Sequence, residues 1–179
     1  MKTVSIVGES WKSRVAEFAA SEVFDRLFKE GMSLVEEAAT YLDGTGRDQS
    51  RQLEREDALT YAAESMEVTT RLMQAASWLV VQRAVREGDM SADEAGDDKF
   101  RLSPPSDPRG ASTEALPDAL LGLISRSRAL YDRVWRLDET LYAQEEKPTE
   151  NPVMSQIERL QNAANTGAFD PLAIWRDLK

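Results

Sequence analysis

Histidine and cysteine are both absent from the 179 residues. Without cysteine there is no disulfide, no thiolate zinc site and no cysteine nucleophile. Without histidine the commonest general base and the commonest metal ligand are missing too. Long apolar runs are lacking as well. None is longer than that of Trp78-Leu79-Val80-Val81, far short of the roughly 18 residues a membrane span needs. The start, Met1 to Gly8, has no apolar signal core with a small-residue cleavage site, and neither end carries a lipidation box. These absences predict a cytoplasmic protein with no membrane partner. Basic residues are in the minority, 22 against 32 acidic, for a net charge of −10. A field of that sign opposes nucleic acid and anionic lipid.

What is present suits a folded helical domain. Apolar residues make up 41% and charged residues 30%, enough for a core and against wholesale disorder. No strand pattern of any length and no internal repeat is visible. Ala20, Phe24, Leu27, Gly31, Leu34, Ala38 and Tyr41 recur at steps of four and three, which is one face of a helix over about 14–43. Gly44 is placed to end it in a left-handed cap. Gly31 falls on the apolar face, where a glycine either admits a close neighbour or is a tolerated weak point of the helix. A second helix is predicted over 53–87, closed by Gly88. Its main stripe is Leu59, Ala62, Met66, Thr69, Met73, Ala76 and Val80, with Tyr61, Leu72 and Leu79 on one flank. A third, over 117–143, carries Leu116, Leu120, Leu123, Ser127, Leu130, Val134, Leu137 and Leu141.

Three long helices pack most simply as an antiparallel bundle. The predicted class is therefore all-α: an antiparallel three-helix bundle over 14–143, then a linker and a short helical tail over 144–179, with a helix at Val153–Ala164. Residues 1–13 read as a loose arm. Between the second and third helices lies a long irregular loop. Ser91-Ala92-Asp93-Glu94 has capping-box spacing there, while Pro104, Pro105, Pro108 and Gly110 oppose regular structure and predict mobility over 89–115.

No catalytic constellation emerges. Glu36-Glu37 and the Glu54/Glu56/Asp57 group lack the histidines of a di-iron bundle. Asp43 to Asp48 fails the later ligand positions of a calcium loop. Gly44 and Gly46 follow a helix, not a strand, so they make no phosphate cradle. A catalytic site, a metal and a cofactor are not expected. Surfaces remain. Trp78 falls among Glu64, Glu67, Arg71 and Gln82. It is either an interface anchor, giving Glu64, Arg71, Trp78 and Gln82 as a candidate partner surface, or it lies under the tail or the long loop. Ile124, Tyr131, Trp135 and Tyr142 form a second stripe on the third helix, either core or a dimer seam. Arg126, Arg128, Arg133 and Arg136 alternate with Asp132 and Asp138 and read as an ion-paired face. Surplus apolar surface on the second and third helices predicts a homodimer.

Two segments carry a family likeness: Glu30-Gly31-Met32-Ser33-Leu34-Val35-Glu36-Glu37-Ala38-Ala39-Thr40-Tyr41-Leu42-Asp43-Gly44-Thr45-Gly46-Arg47, and Tyr61 to Met66 continuing through Thr69 to Val85. Both resemble the RcdA family, named as regulator of CtrA degradation. The likeness runs well over 17–90 and more loosely over the third helix and Asn151-Pro152-Val153. It implies a dimeric three-helix bundle without enzymatic activity or cofactor. It also implies an adaptor role in regulated proteolysis, helping the ClpXP protease, with a CpdR-type response regulator, to degrade the cell-cycle regulator CtrA and other substrates. A small-molecule or metal-dependent helical enzyme is disfavoured by the missing histidine and cysteine. A DNA-binding regulator is disfavoured by a pI near 4.6.

Overall fold

The computed structural model describes residues 10–105 and 114–143, all within the first of two compact units, Met1–Ala143. The expected linker and tail helix of 144–179 lie outside the described residues. Every regular element described is helical: α1 (Ser10–Ala19), α2 (Glu22–Asp43), α3 (Thr45–Ser50), α4 (Arg55–Glu87), α5 (Ala92–Ala95), a 3-10 turn (Asp98–Phe100) and α6 (Asp118–Tyr142). The all-α class is as expected. The first predicted helix is in fact two. Ser21 interrupts it in extended backbone, and its hydroxyl accepts from the Phe24 amide at 3.2 Å. A serine offering that bond starts a helix better than it continues one. The presumed arm is helical from Ser10, and Val15 and Ala19 are fully buried.

Cap geometry splits the two glycine expectations. Gly88 ends α4 in the left-handed region at φ 80°. Gly44 does not end α2 that way: its φ is −105°, and the chain passes straight into α3. The capping box forms as its spacing suggests, with Ser91 and Glu94 satisfying each other's amides.

Paired residues give the directions. Along α2 and α4, Asp25 meets Arg86 and Tyr41 meets Tyr61, so the two run antiparallel. Glu37 with Arg126 and Glu30 with Arg133 make α6 antiparallel to α2 as well. Arg71 with Ser127, Trp78 with Asp138 and Gln82 with Tyr142 make α4 and α6 parallel to each other. The connection over 88–117 must therefore travel back along the bundle, which is why it is long. It is no slack loop in its described part. Ala95 is buried, Arg101 reaches Asp138 and the Ser103 carbonyl accepts from the Tyr131 hydroxyl at 2.9 Å. The mobility expected of 89–115 does not suit this packed course over 89–105; residues 106–113 lie outside the described set.

Burial agrees with the expected stripes on α2 and α6. Phe24, Leu27, Gly31, Leu34 and Ala38 face inward, as do Leu120, Leu123, Ser127, Leu130, Val134 and Leu141. At Gly31 an added Cβ would stand 2.6 Å from Leu79 Cδ1, so this glycine does admit a close neighbour. On α4 the expected flank of Tyr61, Leu72 and Leu79 is core, but the expected main stripe is not. Tyr61, Glu64, Val68, Leu72, Ala75, Trp78, Leu79 and Gln82 face the core. Leu59, Met66, Met73 and Val80 point outward, each more than half exposed.

Candidate functional site

The α4–α6 seam explains why that stripe is not core. Trp78 is 1% exposed and Gln82 and Asp138 are fully buried. The Trp78 indole N–H donates to Asp138 Oδ1 at 2.7 Å. Arg101, arriving on the returning connection, donates its Nε to both Asp138 oxygens at 3.0 and 2.9 Å, and the Leu102 amide adds a bond at 3.3 Å. A buried carboxylate is tolerable with this much cationic and N–H compensation. Gln82 Nε2 donates to the Tyr142 hydroxyl at 2.8 Å. The Arg101 guanidinium lies 4.8 Å from the centre of that tyrosine ring. Burial first of all raises the Tyr142 pKa. Phe18 of α1 closes over Trp78 at 6.0 Å between ring centroids.

The sequence-proposed partner surface is thus mostly interior. Glu64, Trp78 and Gln82 are buried, and Trp78 takes the covered alternative, under α1 and the returning connection. Polar residues on the inward face made that face look solvated. Glu64 meets Arg128 at 3.6 Å. Arg71 gives Nη1 to the Ser127 hydroxyl at 3.1 Å and lies 3.9 Å from Glu67. Burial, then the charge of Arg128, lowers its pKa from the ordinary arginine value. In the second stripe, Ile124, Tyr131 and Tyr142 are core. Trp135 is only partly buried and packs at the core's edge. The ion-paired face of α6 is largely as expected: Arg126 and Arg133 pair with Glu37 and Glu30 of α2 and Arg128 with Glu64 of α4, while Arg136 lines a cavity on the α4–α6 seam together with Arg128.

Asp138 and Arg101 were missed as a pair. Only tertiary structure brings together residues separated by 37 positions on different elements. The stripe expected to be the main apolar face of the second helix is an outward face. From Leu59 to Val80 the exposed positions of α4 include Ala62, Ala63, Thr69, Thr70, Gln74 and Ser77 and not one charge. Leu59, Met66, Met73 and Val80 follow one another at seven-residue steps, with Ala62, Thr69 and Ala76 interleaved. That is coiled-coil spacing on a face with nothing against it among the described residues. No three potential metal-ligating side chains cluster among the described residues, and no described helix is long and apolar enough to cross a membrane.

Against known proteins, residues 15–164 match the family described as protein of unknown function DUF1465. The crystal structure of RcdA from Caulobacter crescentus CB15 superposes with a TM-score of 0.62 at 51% sequence identity, covering 73% of this chain and 99% of that one. The chain belongs to the RcdA family. No curated protein matches it. The segments quoted above for this likeness include most of α2 and α4, and they hold the Gly31–Leu79 contact and, with the exception of Leu59, the outward apolar residues. In this chain the α4 residues do two jobs: one face closes the core through Trp78 and Gln82, and the other carries Leu59, Met66, Met73 and Val80 outward.

Proposed function

We propose that this RcdA-family chain is a non-enzymatic adaptor of regulated proteolysis. In this reading it works in the cytoplasm as a homodimer, binding ClpXP, a CpdR-type response regulator and substrate proteins, and so promotes degradation of CtrA and other substrates. The observation that carries the reading is the 51% identity spanning 99% of the RcdA chain. The missing histidine and cysteine weigh against an enzyme, and the net charge of −10 weighs against a DNA regulator.

The charge-free face of α4 supports the dimer. Its midpoint falls between Thr69 and Thr70, so a two-fold axis there lays α4 antiparallel on its copy. Leu59 then faces Val80 of the partner subunit, and Met66 faces Met73 of the partner subunit.

The test is a reconstituted degradation assay with ClpXP, a CpdR-type regulator and CtrA. Adding the protein should speed loss of CtrA. Unchanged binding and degradation of CtrA and of other candidate substrates, with all co-factors of the protease present, would refute the adaptor reading.

A further inference from the structure

We propose that the cavity on the α4–α6 seam is a binding site for a peptide carboxylate. The cavity has a volume of about 550 Å³. Arg71 of α4 and Arg128, Trp135 and Arg136 of α6 line it, with Pro104 and Pro105 of the returning connection as a wall. Its arginines contrast with the others on the same helix. Arg126 and Arg133 each pair closely with a glutamate of α2. Arg128 reaches Glu64 only at 3.6 Å and Arg71 reaches Glu67 only at 3.9 Å. Arg136 has no ion pair among the described residues. The Trp135 indole N–H is buried and has no acceptor. Buried donors in folded proteins nearly always find acceptors. Arg136 thus stands unpaired among the described residues, beside two arginines whose carboxylates are 3.6 and 3.9 Å away, and an oxygen anion is the ligand that would satisfy it.

Charge and shape choose among anions. The lining holds Glu67 and Asp132 against three arginines, and Glu64 is paired with one of them, Arg128. With three acids to three arginines the site has no surplus positive charge, which suits a single carboxylate better than a phosphate dianion. The volume lies in the range of organic-ligand pockets and far exceeds a lone ion. Pro104, Pro105 and the faces of Tyr131 and Trp135 offer flat apolar surface to the rest of a short peptide. The bond from Tyr131 to the Ser103 carbonyl holds that wall in place. The inference stands on this cavity and not on the adaptor reading: a protein inert toward ClpXP could still bind here.

The test uses the full chain and three fluorescein-labelled pentapeptides. One is penta-alanine with a free C-terminal carboxylate, the second is its C-terminal amide, and the third is the amide with glutamate at the central position. Binding is read by fluorescence polarisation and by the indole N–H signals in a nitrogen-15 correlation spectrum. The chain has four tryptophans, and Trp135→Phe assigns the signal of interest. At least one of the two carboxylate peptides should bind about tenfold tighter than the plain amide and shift the Trp135 indole signal. Which one does so tells a chain terminus from an acidic side chain. Arg136→Gln, at an exposed position, should leave melting unchanged and weaken that binding about tenfold. Equal affinity for all three peptides would overturn the proposal. So would no saturable binding at millimolar concentration, or full retention of affinity in both Arg136→Gln and Arg128→Gln. Inorganic phosphate giving the same indole shift at lower concentration than either carboxylate peptide would overturn it as well.

Discussion

The Trp78 indole N–H sits 2.7 Å from the fully buried carboxylate of Asp138, and Arg101 clamps the other side of that carboxylate. This joins α4, α6 and the returning connection at one point. Arg101→Ala strips the cation from a charge with no access to water. It should cost about 3 kcal/mol of stability, read as a shifted midpoint in urea unfolding. Trp78→Phe keeps most of the packing and removes one bond to a charged acceptor, costing about 2 kcal/mol. A midpoint unchanged by both would show that the network does not hold the seam.

Gly31→Ala should destabilise. Alanine is the better helix former by about 1 kcal/mol, but its Cβ would stand 2.6 Å from Leu79 Cδ1, and Leu79 is fully buried. Overpacking costs about 1–3 kcal/mol and outweighs the gain. Shortening the neighbour with Leu79→Val should recover part of the loss. Thermal melts of the two single mutants and the double mutant decide it, because only a steric clash predicts that recovery.

Charge on the outer face of α4 should separate association from folding. Met66 and Met73 are 71% and 64% exposed. Met66→Glu with Met73→Glu would bring like charges together in the antiparallel pairing. The double mutant should sediment as a monomer of 20.0 kDa with intact helical circular dichroism, while the unmodified protein sediments as a dimer. Identical sedimentation of the two would remove the α4 pairing.

Tyrosine burial sets an alkaline limit. The Tyr41 pKa is raised to about 12, burial first and then its neighbour Tyr61, and burial likewise raises Tyr131 and Tyr142. The folded state holds these protons longer than the unfolded state, whose tyrosines titrate near pH 10. Stability is therefore untouched by these groups below about pH 10 and is lost as pH rises from there toward 12. Melting temperature should stay level across the range about pH 7 to 9 as far as these phenols decide it. It should then fall steeply as their absorbance near 295 nm appears. Phenolate absorbance complete before any loss of structure would contradict this.

The helices of α2 and α6 were legible because their apolar residues coincide with their buried faces. The α4 helix was legible as a helix and misread as to side. Its inward face carries Gln82 and the indole of Trp78, each hydrogen-bonded to α6, and Glu64, which faces Arg128 of α6 at 3.6 Å. Its outward face carries Leu59, Met66, Met73 and Val80. Periodicity counts apolar residues and cannot see that a polar one has a partner. The break at Ser21 was hidden because α1 and α2 together keep a helical pattern. The length of the 88–117 connection was visible; that it retraces the bundle was not, since direction is set by which ends meet.

The parallel course of α4 and α6 sets how this chain can fold. Between α2 and α4, contact distances along the chain are graded, from twenty positions for Tyr41 and Tyr61 to 61 for Asp25 and Arg86. That pair can zip outward from its turn, each contact shortening the loop for the next. Between α4 and α6 there is no gradient: Arg71 and Ser127 are 56 apart, and Trp78–Asp138 and Gln82–Tyr142 are both 60 apart. Every contact on that seam costs nearly the same loop closure, so no end of it is a cheaper starting point. This topology predicts that the α2–α4 hairpin forms first and that α6 docks onto it together with Arg101, so that mutations on the α4–α6 seam should change the unfolding rate more than the folding rate.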